Sequence, residues 1–184
     1  MNKDVLIELL KYFAGFVPKD VLKKTFIKKK GAPTGYDQLV TELMNLPDDK
    51  IVPDIDNFIF SDKESFLRQK IKNSEKTVLY IEYGAFTYAP NQLQGIREKL
   101  AVHVAYPYSE SNNDNLSETL IMNRMHNILC SILDRMEKDQ TSLDFCSSGQ
   151  LIVFPAEIVA IEPSLFHDRT GWMAIFDNTH TNIL

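Results

Sequence analysis

Cysteine, glycine and long apolar runs are all scarce in this sequence. It holds only two cysteines in 184 residues. Cys130 falls on the apolar side of a candidate helix and Cys146 in a polar turn, which does not suggest a disulfide framework, so a reducing, cytoplasmic setting is expected. Seven glycines and eight prolines are too few for a collagenous or broadly disordered chain. No stretch reaches the roughly 20 apolar residues that span a bilayer, so no membrane partner is expected. The opening MNKDVLIELLKYFAGFV has acids inside its apolar run and lacks a small-residue cleavage site, and it reads as a helix of the mature chain. Basic residues are also outnumbered: the formal charge is −5, which argues against general or sequence-specific nucleic-acid binding.

Catalytic and metal-binding signatures are equally sparse. His167 and His180 stand thirteen positions apart with no Cys or further His to complete a zinc pattern. Ser147 and Ser148 before Gly149 lack a nucleophile elbow, and GAPTG lacks the Lys and Ser/Thr of a phosphate loop. No catalytic residue, cofactor or metal is therefore assigned. Two polar groupings remain. Glu82 and His103 lie on facing strands and have the residue types of an acid–base pair. The alternation puts both opposite Leu100 and Val102, where a solvated or interface position is the simpler reading. His167, Asp168 and Arg169 read as a turn between strands.

What the chain does have is periodicity. At 184 residues it is expected to form a single domain, with a helical part over 1–50 and an α+β core over 55–184. Leu116, Leu120, Ile121, Ile128, Leu129, Ile132, Leu133 and Met136 recur at helical spacing, predicting a long amphipathic helix over 115–136. Asn115 is the expected cap, with Glu118 as its capping-box partner. Shorter helices are predicted around Val5–Phe13, Val21–Ile27 and Leu39–Met44, and one after Ser61 and Glu64. Asn57–Phe60 suits a short strand. TVLYIEYGAFTY (77–88) and EKLAVHVAYPY (98–108) alternate with period two and are expected to pair antiparallel. GQLIVFPAEIVAIEP (149–163) and TGWMAIFDNT (170–179) read as two closing strands, Pro155 requiring a bulge or an edge in the first. The expected fold is α+β: a mostly antiparallel sheet of four or five strands with helices on one face.

Charge is distributed unevenly. Residues 19–30 hold six Lys against one Asp, a net +5 in a chain of −5, so the remainder carries −10. Lys23, Lys24, Lys28, Lys29 and Lys30 read either as a solvated helix face and loop or as a patch for an acidic partner, including a neighbouring identical subunit.

The elements YIEYGAFTYAP, KLAVHVAYPY, LSETLIMNRMHNILCSILDRM, LIVFPAEIVAI and GWMAIFDNT, preceded by DNFIFSDKESFLRQKI, resemble in order and pattern the tail-terminator and related head–tail joining proteins of long-tailed phages, in their prophage version. The resemblance spans about 55–178. It implies a structural, non-enzymatic protein forming a ring, commonly a hexamer, that caps the tail tube and joins it to the neck of the head. Its partners would be copies of itself and tail-tube and neck proteins, and it would move from the cytoplasm into the virion tail. No catalytic residues come with that family, whereas Lys23, Lys24, Lys28, Lys29, Lys30, Glu82 and His103 are candidates for subunit or partner contact. The competing expectations are an intracellular adaptor or ligand-binding α+β domain, and, further off, a small hydrolase using Glu82, His103 or the 167–169 cluster.

Overall fold

The computed structural model describes residues 5–62, 71, 76–84, 86–87, 96–97, 99–109, 114–141, 154–164 and 166–177. In chain order these form α1 (Val5–Ala14), α2 (Lys19–Thr25), α3 (Tyr36–Met44), β1 (Asn57–Ser61), β2 (Val78–Tyr83), β3 (Phe86–Thr87), β4 (Ile96–Arg97), β5 (Lys99–Pro107), α4 (Asn115–Thr141), β6 (Glu157–Ile161) and β7 (Arg169–Asp177). Five strands make one sheet in the order β1-β2-β5-β7-β6, and β3 with β4 makes a separate ribbon. The fold is α+β, and three of the four pairings in the main sheet are antiparallel.

Two features of the sheet depart from expectation. β1 pairs with β2 in parallel, which the roughly dozen or more intervening residues permit. The stretch 77–88 is not one strand: it leaves the sheet after Tyr83, and Phe86–Thr87 joins the ribbon instead. Pro155 lies two residues ahead of β6 and outside it, and β6 has no strand beyond it among the described residues. The helix expected after Ser61, the loop around Asn91, Cys146, Ser147, Ser148 and His180 lie outside the described residues.

Alternation assigns the two faces of the sheet. Phe58, Leu79, Ile81, Leu100, Val102, Val104, Ala174 and Phe176 face a core shared with Leu9, Phe13 and Phe16 from the N-terminal segment and with Met125, Leu129, Ile132 and Met136 from α4. Each Val, Leu, Ile, Phe or Met side chain among them stabilises the fold by about 1.5–3 kcal/mol through burial. Trp172 of β7 donates its indole N–H to the Met122 carbonyl at 3.0 Å, pinning α4 across the sheet. On the other face Ile59, Val78 and Tyr80 pack with Ile71 and Phe166. Gly171 in β7 is required there. A Cβ at that position would sit 2.1 Å from the Val104 carbonyl oxygen, with φ at +153°.

The long helix differs from its sequence reading at both ends. Asp114 rather than Asn115 caps it, its carboxylate accepting the Ser117 N–H at 2.8 Å. The helix continues past Met136 to Thr141, because Asp139 turns inward and finds partners there. Leu116 and Leu120 do not join the core and are 67% and 61% exposed.

The connector between α3 and β1 is stitched to α4 by charge. Arg124 meets Asp54 at 2.6 Å, Arg135 meets Asp49 at 2.6 Å, and Lys50 meets Asp139 at 2.6 Å. Asp139 also accepts from the Tyr12 hydroxyl at 2.9 Å and Arg135 Nε at 2.8 Å, while Lys50 Nζ lies 4.6 Å over the Tyr12 ring. Burial alone would raise the Asp139 carboxyl, but the donors Lys50, Arg135 and Tyr12 outweigh it and hold the group below its ordinary value.

Candidate functional site at the sheet edge

Among the described residues β1 ends the sheet on one side. Its Asn57 N–H donates to the Thr77 carbonyl at 3.0 Å, so Asn57, Ile59 and Ser61 turn their backbone polar groups toward β2. Phe58 and Phe60, by alternation, turn theirs away from the sheet. Those outward groups have no backbone partner among the described residues. A cleft of about 400 Å³ runs along this edge, walled by Phe58 and Phe60 on one side and by Phe26, Ile27 and Tyr36 on the other, with Lys29 and Lys30 among its lining. Ile27 is 65% exposed.

The short helix α2 explains where the lysines go. Pro18 sets the backbone ahead of its first turn. The helix buries Val21 and Leu22 and stops at Thr25, leaving 26–35 as a loop. Lys24 pairs with Asp20 one turn back at 3.3 Å, and Lys28 pairs with Asp37 of α3. Lys19 donates to the Leu43 and Leu46 carbonyls at 3.1 and 2.8 Å, closing the C-terminal end of α3. Lys23, Lys29 and Lys30 are exposed and have no acidic partner among the described residues. The five candidate lysines therefore divide: two are spent locally, Lys23 is solvated on α2, and Lys29 and Lys30 stand at the cleft.

Glu82 and His103 come together, but not as an exposed pair. The Glu82 carboxylate lies 3.3 Å from His103 Nε2, yet neither ring nitrogen makes an aligned hydrogen bond. His103 is only 4% exposed. Its ring stacks between Tyr80, at 4.8 Å, and Phe166, at 5.2 Å and 7° from parallel. The expectation of a solvated His103 is corrected, because Phe166 and Ile71 cover its part of the second face of the sheet, while Glu82 on that face is exposed. His167 and Asp168 form the expected turn, both with positive φ, closed by Asp168 N–H to the Pro163 carbonyl at 3.0 Å. Arg169 points beneath the sheet to the Ile71 and Lys76 carbonyls at 2.9 and 3.1 Å. Burial lowers its guanidinium from the ordinary value. None of these groups lines the cleft beside β1.

Another pair was missed in the sequence. Cys130 Sγ lies 3.7 Å from the His126 ring, one turn back on α4, an i,i+4 spacing visible in the chain. Burial, and then Asp134, raises the Cys130 thiol above its ordinary value, which is the reverse of what an activated nucleophile needs. Among the described residues no group of three or more His, Cys, Asp or Glu is arranged to hold a metal. No described helix is long and apolar enough to cross a membrane.

Comparison with protein families, curated proteins and solved structures finds no match.

Proposed function

We propose that this chain is a structural assembly protein that forms a ring with copies of itself and, as its resemblance to phage tail terminators implies, caps a tail tube and joins it to the neck. The observation that carries the self-association is the cleft beside β1: apolar walls, an exposed Ile27, and Lys29 and Lys30, which have no acidic partner among the described residues, in a chain whose remainder is acidic. An apolar cleft rimmed by exposed cations suits an acidic surface with an exposed apolar side chain on another chain. The element order behind the resemblance, with strands, a long helix after a polar loop and closing strands, supports the phage part of the reading. Partners would then be a tail-tube and a neck protein, and the site of action the cytoplasm followed by the virion.

Light scattering coupled to gel filtration over a rising concentration series, followed by electron microscopy, tests this directly. Closed rings of uniform size are expected. A chain that stays monomeric at millimolar concentration, alone and with its tail-tube protein, overturns the reading. The cleft volume favours a second reading, a ligand-binding domain, since about 400 Å³ lies within the range of small-molecule pockets. That reading expects a monomer whose melting temperature rises with an anionic amphiphile.

A further inference from the structure

The sheet has a second edge, and its chemistry mirrors the first. β6 is the last strand in the order, with no strand beyond it among the described residues. Glu157 at its start and Glu162 just past its end are both exposed. Between them Ile158 is 40% exposed. Among the described residues Glu157 has no basic partner and Glu162 accepts the Ser164 hydroxyl, at 2.7 Å. One edge thus shows Lys29, Lys30 and an exposed Ile27 around an apolar cleft, and the opposite edge shows two acids flanking an exposed Ile158.

We propose that these two surfaces recognise each other between copies, the β6 edge of one subunit docking against the Lys29–Lys30 rim of the cleft beside β1 of the next. The inference rests on the self-association proposed above and names its contact. The occupant of the cleft is a second copy of this chain, because its β6 edge presents an exposed apolar side chain, Ile158, flanked by two acids that complement Lys29 and Lys30. Two different surfaces on each subunit make a heterologous contact, which generates a ring when the rotation closes and a filament when it does not. A two-fold dimer joining β1 to β1 would bring four lysines together and is disfavoured by like charge.

Charge reversal tests the pairing with exposed residues whose replacement leaves the fold intact, checked by circular dichroism. The variant Lys29→Glu/Lys30→Glu presents two acidic edges, and Glu157→Lys/Glu162→Lys presents two basic ones. Each alone is expected to weaken self-association by about tenfold or more, measured by sedimentation velocity. Mixing the two, or combining all four changes in one chain, is expected to restore assembly. If the parent chain assembles and both variants assemble equally well, or the fourfold variant does not recover, the edge-to-edge contact is overturned while ring formation stands. A parent chain monomeric at every concentration overturns both.

Discussion

At the scale of single residues, Asp139 and His103 show two ways of burying a polar group. Asp139 is surrounded by donors from three separate segments, so its charge is the reason those segments meet. Replacing it by Asn leaves Lys50 and Arg135 facing a neutral amide, and a loss of about 2 kcal/mol is expected in urea unfolding. The sign with pH follows from the depressed carboxyl. Its contribution is complete above the ordinary carboxylate range and disappears as the pH falls through the lower folded value. Asp139→Asn should therefore flatten the acid limb of the stability curve below about pH 4 and leave the neutral region parallel to the parent. His103 is the opposite case, held by stacking without an aligned hydrogen bond. His103→Phe keeps the stack and is expected to stay within about 1 kcal/mol of the parent, while His103→Ala opens a cavity and loses about 2–4 kcal/mol. A loss for His103→Phe as large as that for Ala would show that the imidazole nitrogens matter.

At the scale of elements, α4 records what periodicity can and cannot say. Its stripe from Met125 to Met136 is buried as the spacing required, because a helix of that pattern has one face to hide. Leu116 and Leu120 carry the same pattern and are exposed, since the stripe says which side of a helix is apolar but not how far the sheet beneath it extends. The cap was displaced by one residue for a similar reason: both Asp114 and Asn115 are good caps, and only backbone geometry chooses. The Ser117 N–H, and then its hydroxyl, holds the Asp114 carboxyl below its ordinary value. Asp114→Ala should lower the melting temperature more than Asn115→Ala at pH 7, and the difference should vanish at a pH low enough to protonate Asp114. The parallel pairing of β1 was illegible because alternation marks a buried face and leaves the direction of the neighbouring strand open. At the candidate site, the lysines were visible as a run. Their division into Lys24 and Lys28, which pair locally, and Lys29 and Lys30, which remain at the cleft, depends on where α2 ends and α3 begins.

At the scale of the whole molecule, the uneven charge becomes spatial, with Lys29 and Lys30 exposed beside one edge of the sheet and Glu157 and Glu162 exposed at the other. Association through such edges should weaken as salt screens them, the screening length shrinking from about 10 Å at 0.1 M to about 3 Å at 1 M. Sedimentation velocity across that range should show a falling association constant; a constant that rises with salt would mean that apolar contact alone holds the copies together. The Asp139 junction also bears on how the chain is made. Tyr12 leaves the ribosome 127 residues before Asp139, which anchors its hydroxyl. At synthesis rates of 5–20 residues per second, α1 waits about 6–25 s with Leu9 and Phe13 still lacking their α4 partners. During that interval the nascent chain is a natural client for chaperones that hold exposed aromatic segments.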